Sequence, residues 1–213
     1  RSTYYDWNTT WQIVRDLQPQ ACMFSDVGPD VRWVGNESGF AGETHWHTYT
    51  PVGGTRPSKP GPGDTKYELG VEGTREGKLW MPAECDTPLR PGWFWHEKHE
   101  GHARDLPALQ RLYFQSVGRG AALNLGLVLD PKGRFPADDE EKLRQFGKYL
   151  TKTFSKNLMT GAKVRAASSL RAGSQLANAI DGRPQSSWAA SEGMEAAWLE
   201  VDLPKATSFN ILS

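Results

Sequence analysis

AALNLGLVL, residues 121–129, is the stretch on which the fold turns. Its continuous apolar character predicts a strand buried on both faces, the kind found where helices cover a parallel sheet. Gly118 and Gly120 break the chain before it, and Asp130-Pro131-Lys132-Gly133 turns the chain away after it. Upstream, LPALQRLYFQSV (106–117) carries apolar residues at 106, 109, 112, 113 and 117, a helical spacing. Downstream, DDEEKLRQFGKYL (138–150) predicts another helix, with acidic residues in the first turn where the helix dipole favours negative charge.

The alternation continues towards the N-terminus. Asp6 can cap a helix in which Trp7, Trp11, Val14 and Leu17 recur on one face, which predicts a helix over 7–18 ended by Pro19. ACMF (21–24) then predicts a short buried strand, with Cys22 as a buried thiol. KLWMPAE (78–84) predicts another strand, running into Glu84 and Asp86. Between them, PVGGTRPSKPGPGDTK (51–66) is an exposed loop of the length used for a lid, a subsite wall or a disordered insert. Repeated helix–strand units with apolar strands argue for an α/β fold with a parallel sheet, in the form of a (β/α)8-like barrel.

After residue 157 the texture changes. Residues 158–213 lack a long helical period, alternate in short runs such as AWLEVDL (197–203), and turn at IDGRP (180–184). This predicts the beginning of an all-β module, so the expected domains are 1–157 and 158–213.

Lys+Arg and Asp+Glu both number 25, so the formal net charge is zero and nothing points to nucleic acid or a charged membrane surface. No apolar run approaches the ~20 residues of a membrane span. Tryptophan is the outlier, with nine copies. Most are expected in a core. A surplus near loops suits a sugar-binding cleft, where a flat ring stacks on the apolar face of a sugar. Cys22 and Cys85 follow no metal or redox spacing. The chain opens at RSTYYDW without an initiator Met and stops at FNILS inside a strand-like run, which predicts a fragment cut at both ends.

Barrel enzymes place catalytic side chains at the C-terminal ends of strands. Three loops here follow strand-like runs. One holds Asp26, Asp30, Arg32, Trp33, Asn36 and Glu37; one holds Glu84, Asp86, Arg90 and the aromatics 93–95; one begins at Asp130. Carboxylates with Trp and Arg suit glycoside cleavage, which needs one carboxyl as nucleophile or base and another as general acid. The residues alone leave plainer roles open: Arg32 and Asp30 pairing to brace a loop, Glu84 and Asp86 capping a turn, Trp93 and its neighbours packing. His45 and His47 lie two apart with no third ligand in view, which argues against a metal. No GxSxG, P-loop or GxGxxG occurs, so serine-hydrolase and nucleotide chemistry have no support.

Several phrases occur together and in order: YDW (5–7), LQPQA (17–21), DVRWVGNESG (30–39), ET (43–44), LWMPAECDTPLRPGWFWH (79–96) and ALNLGLVLDPKGRFPADDEEKLRQFG (122–147). Over residues 1–155 the chain resembles the C-terminal part of the catalytic barrel of the α-L-fucosidases of glycoside hydrolase family 29, in the branch that prefers α-1,3/1,4-linked fucose. NAIDGRPQSSW (178–188), AWLEVDL and FNIL (209–212) resemble the opening of a discoidin, or coagulation-factor type C, module of the carbohydrate-binding kind.

The resemblance implies an exo-acting, secreted or periplasmic enzyme that releases fucose from fucosylated glycans by retaining double displacement, with carboxyls roughly 5 to 5.5 Å apart. It makes Glu37 of the RWxGNE motif the acid/base. It places the nucleophile Asp in a WFDG-type motif upstream of residue 1, together with most fucose-binding histidines. To act as acid, Glu37 must hold its proton near neutral pH, which burial against Trp33 and a nearby negative nucleophile would favour. Arg32 is expected to pair with Asp30 or another carboxylate. Trp33, Trp93, Arg32 and Glu84 are the expected substrate-binding residues, with Trp93 as an apolar wall beside the sugar. Catalysis needs no cofactor. Asp181 matches a position that helps hold a structural Ca²⁺. The alternatives are a non-catalytic carbohydrate-binding protein with a degenerate barrel and another retaining barrel glycosidase. By itself the chain is expected to be inactive and poorly stable, since a partial barrel leaves strand edges uncovered.

Overall fold

The computed structural model describes residues 5–166, 170–183, 185–209 and 211. The chain forms two compact units, Arg1–Lys148 and Tyr149–Ser213. The first begins with helix α1 (Trp7–Leu17), whose N-terminus is closed as the sequence predicts: the Asp6 carboxylate accepts from the Thr9 backbone N–H at 3.1 Å. Gln18 and Pro19 end it.

The elements that follow are β1 (Phe24–Ser25), β2 (Val31–Trp33), β3 (Thr48–Tyr49), α2 (Tyr67–Glu72), β4 (Leu79–Trp80), β5 (Ala83–Pro88), α3 (Leu106–Gln115), β6 (Ala122–Gly126) and α4 (Ala137–Phe154). Strands β1, β2, β5 and β6 make a four-stranded sheet in that order, and every pairing in it is parallel. β3 and β4 form a small antiparallel pair beside it in sequence. Parallel pairing brings the C-terminal ends of β2, β5 and β6 to the same side of the sheet, so the loops that leave them are neighbours.

Strand β5 shows why the sheet has two unlike faces. Ala83, Cys85 and Thr87 are buried, while Glu84, Asp86 and Pro88 are half-buried, the alternation that a pleated strand imposes. The buried face joins Val34, Ala41 and Ala121 in one apolar cluster. A second cluster is built by helices. Asp105 caps α3 by accepting from Ala108 N–H at 2.9 Å, Leu109 and Leu112 turn inward, and Leu89, Leu125, Leu143 and Phe146 pack against them.

The run 121–129 is a shorter strand than its composition predicts. Only Ala122–Gly126 is extended in the sheet, and all five residues are exposed or half-buried. β6 lies at the sheet edge, bonded on one side only, to β5, and its side chains are not fully covered on either face. β1 is the other edge, and the same reason overturns the buried ACMF strand: Cys22 is exposed and Phe24 is 47% exposed. None of the nine tryptophans is fully buried, against the expectation that most would be core. The loop 51–66 is tied into the unit at Asp64, which accepts from Thr55 N–H at 2.9 Å and Thr55 Oγ1 at 2.8 Å, and at Asp26, which accepts from Gly63 N–H at 2.5 Å.

In the second unit β7 (Lys163–Ala166) pairs antiparallel with β8 (Leu199–Asp202), and an isolated bridge joins Leu170 to Ala190. A short 3₁₀ turn spans Leu176–Ala179. Asn210 and Leu212 of the FNIL phrase, and Pro184 of NAIDGRPQSSW, lie outside the described residues. Among the described residues no helix is long and apolar enough to cross a membrane.

Candidate active site

The segment 30–39 is organised from both ends. β2 ends at Trp33, and Val34 is buried beneath the turn. Asn36 closes the loop: its amide donates to the Phe40 carbonyl at 3.0 Å, and its Oδ1 accepts from Ser38 N–H at 3.0 Å. Gly39 adopts φ +80°, and a Cβ there would lie 2.7 Å from Leu112 Cδ2 and 2.8 Å from Thr87 Cγ2. The backbone must pass this close to α3 and β5, which only glycine permits. Glu37 is left exposed at the tip.

Glu37 is not alone there. The indole Nε1–H of Trp93 donates to its Oε2 at 2.9 Å. Trp93 belongs to the loop that leaves β5, and its ring lies across Gly126 at the end of β6; a Cβ at 126 would come within 2.5 Å of Cζ3. Trp33, expected beside Glu37, instead donates from Nε1 to Asp86 Oδ1 at 2.5 Å. The register explains this: Trp33 pairs with Glu84 across β2 and β5, so Trp33, Glu84 and Asp86 share one face of the sheet. On that face Asn124 of β6 donates to Glu84 Oε1 at 3.0 Å. From the sequence Asp86 is one of the candidate loop carboxylates, with turn capping as its plainer role, and Asn124 carries no assignment. The Glu-x-Asp spacing on a strand was the available signal, since period two puts both carboxylates on one side.

Arg32 points to the opposite face and has no exposed surface. The expected pairing with Asp30 does not form. Its Nε donates to Gly70 O at 3.1 Å, Nη2 to Trp46 O at 2.9 Å and Nη1 to Met81 O, and the guanidinium lies over the Tyr49 ring. A planar group with five donors can satisfy three separate carbonyls at once. Burial lowers its pKa to about 10, far enough above neutrality to leave it charged. So Arg32 braces the underside of the site, and direct contact with a substrate would need surface it does not expose. Asp30 is taken by Arg15 and by Met23 N–H at 2.7 Å.

Other sequence candidates fall outside the site. Asp130 closes its own turn, accepting from Lys132 N–H at 2.8 Å and Arg134 N–H at 2.9 Å, and these bonds hold its carboxyl below the usual range. The Cys85 thiol is pushed up to about 12 by burial first and by Asp86 next, which makes it an inert core group. His45 and His47 meet edge to face, and among the described residues no cluster of three His, Cys, Asp or Glu side chains could hold a metal. Asp181 Oδ2 accepts from Ser186 Oγ at 2.7 Å and its Oδ1 from Arg183 N–H at 2.8 Å, so both oxygens already face donors.

A parallel α/β sheet whose neighbouring loops and strands carry carboxylates and tryptophans defines the class, a parallel α/β unit of the kind from which barrels are built. No family model matches the chain. It is 35% identical over 214 residues to Alpha-L-fucosidase 1 of Arabidopsis thaliana, a match that covers 98% of this chain and 40% of that protein. Among solved structures it is similar to SpGH29, with a TM-score of 0.81 and 33% identity over 93% of this chain and 42% of that one. A Ruminococcus gnavus GH29 fucosidase in complex with fucose matches with a TM-score of 0.74 and 27% identity, covering 95% of this chain and 42% of that one. Together these relatives support the α-L-fucosidase family, glycoside hydrolase family 29. The chain spans about two-fifths of the length of the curated relatives it matches.

Proposed function

We propose that the protein carrying this chain is an exo-acting α-L-fucosidase that hydrolyses terminal α-linked L-fucose by retaining double displacement. Glu37 is its acid/base, and the nucleophile Asp comes from sequence outside residues 1–213. The observation that carries the reading is the place of Glu37: an exposed carboxylate at the C-terminal end of a parallel strand, held on one oxygen and open on the other. A fucose complex of a structural neighbour and the curated fucosidase relatives support the substrate class. Glu37 would first protonate the leaving oxygen and then deprotonate the water that opens the glycosyl-enzyme. The aromatic and carboxylate face around Trp33 and Glu84 would contact the glycan. By the same resemblance the linkage preference is α-1,3/1,4, the second unit is the start of a discoidin-like sugar-binding module, and the protein is secreted or periplasmic.

The test uses the protein with whatever flanking sequence its gene encodes. Aryl fucosides should be cleaved with retention and aryl galactosides should not. Glu37→Ala should lower turnover on substrates with poor leaving groups by about 10²–10⁴-fold, with azide restoring the variant's turnover on activated substrates. Wild-type turnover in Glu37→Ala would overturn the assignment.

A further inference from the structure

We propose that Trp93, seated on Gly126, is a positioning residue that holds Glu37 in one orientation through both halves of the reaction. This rests on the reading of Glu37 as the acid/base. An acid/base group must alternate between carboxylic acid and carboxylate without losing its aim. A partner carboxylate or ammonium would change its own interaction with each proton transfer. An indole stays the same donor in both states, neutral and without a titration in the working range, although its bond strengthens when Glu37 is a carboxylate. Its Nε1–H can donate to Oε2 as the carbonyl oxygen of the acid or as one oxygen of the carboxylate. That leaves Oε1 to carry the proton.

Gly126 makes the arrangement possible. The six-membered edge of Trp93 occupies the space of a side chain at 126, with Cζ3 2.5 Å and Cε3 2.9 Å from where a Cβ would sit. An added methyl cannot be absorbed by a flexible chain end, because a rigid ring is what it meets. The ring would have to lift, and its N–H would swing away from Glu37. The loop is fastened at its base, so Trp93 cannot simply follow: Arg90 is buried, bound to Asp139 and to the His99 carbonyl at 2.9 Å. Glu37 and Trp93 lie 56 residues apart, and Gly126 is contributed by a third strand end. The orientation of the acid/base is therefore set jointly by β2, β5 and β6.

The experiment compares three changes: Trp93→Phe, Gly126→Ala, and Trp93 replaced by benzothienylalanine, which keeps the ring's shape and has sulfur where the N–H stood. Thermal melts confirm which variants fold. The expected result is a roughly tenfold or larger loss of kcat/KM on fucosides with poor leaving groups, which reports the acid half, and a smaller loss of kcat on activated aryl fucosides that azide restores, which reports the base half. The benzothienyl variant isolates the hydrogen bond even if the other two disturb the loop. An unchanged dependence on leaving group in that variant would overturn the proposal. So would an equal loss on all substrates with raised KM, which would make Trp93 a sugar-contacting wall instead. If Glu37→Ala itself retains turnover on poor leaving groups, the acid/base reading fails and not merely its positioning.

Discussion

Arg90 and Asp139 form an ion pair at 2.5 Å with side chains only 3% and 0% exposed. It links the end of β5 to the first turn of α4, directly below the loop that carries Trp93. Removing one partner leaves the other charge buried and uncompensated. Asp139→Ala should therefore cost about 3–5 kcal/mol, and Arg90→Met with Asp139→Leu should recover much of that loss. Urea denaturation of the single and double variants measures both.

Arg32 is expected to be as costly to lose, for a different reason. It has no carboxylate partner among its hydrogen bonds but serves the carbonyls of Gly70, Met81 and Trp46. Arg32→Met would leave the buried Gly70 and Met81 acceptors unpaired, at about 1–3 kcal/mol each, while the part-buried Trp46 carbonyl can turn to water. Arg32→Lys should fall between, since a compact ammonium lacks the planar fork. The equilibrium unfolding midpoints should rank wild type, Lys, Met in falling order.

Gly39→Ala combines a positive φ with a Cβ that meets Leu112 and Thr87. It should destabilise the fold by about 1–3 kcal/mol. Because Gly39 lies two residues from Glu37, turnover should fall further than stability alone explains. Comparing activity at a temperature where both proteins are folded separates the two effects.

His45 and His47 give a prediction in pH. Burial is the leading cause that lowers the pKa of each below the ordinary 6.5, with Arg32 adding a smaller push, and His45 Nδ1 faces the Val71 carbonyl at 3.1 Å. A histidine depressed in the folded state takes up its proton more readily when unfolded. Their contribution is thus intact above about pH 6.5 and is lost as pH falls through their lowered folded values. Stability should drop between pH 7 and pH 5 more steeply in the wild type than in a His45→Gln, His47→Gln variant, as read from denaturation midpoints.

Helices α1 and α3 were legible because their signals are local. Asp6 and Asp105 cap them, Pro19 and Gly118 lie beyond their ends, and their apolar residues recur on one face. The strands were harder. An apolar run reports that a segment can be buried, but Cys22, Phe24 and the residues of β6 lie on sheet edges, and edge position depends on which strands pair. The loop with Glu37 was legible as a motif, and its Asn and glycines as turn chemistry. What Glu37 touches was not legible, because Trp33 and Trp93 are chemically alike and only the sheet register sends one to Asp86 and the other to Glu37.

The sequence by itself determined the α/β class, the starts of α1 and α3 and the segment that presents a carboxylate, since these follow from spacing, caps and turn residues close together in the chain. The tertiary structure alone decided that Arg32 supports three carbonyls rather than pairing with Asp30, and that Trp93 rests on Gly126 to reach Glu37. Those outcomes depend on parallel strand register, which joins residues more than fifty positions apart and leaves no local trace.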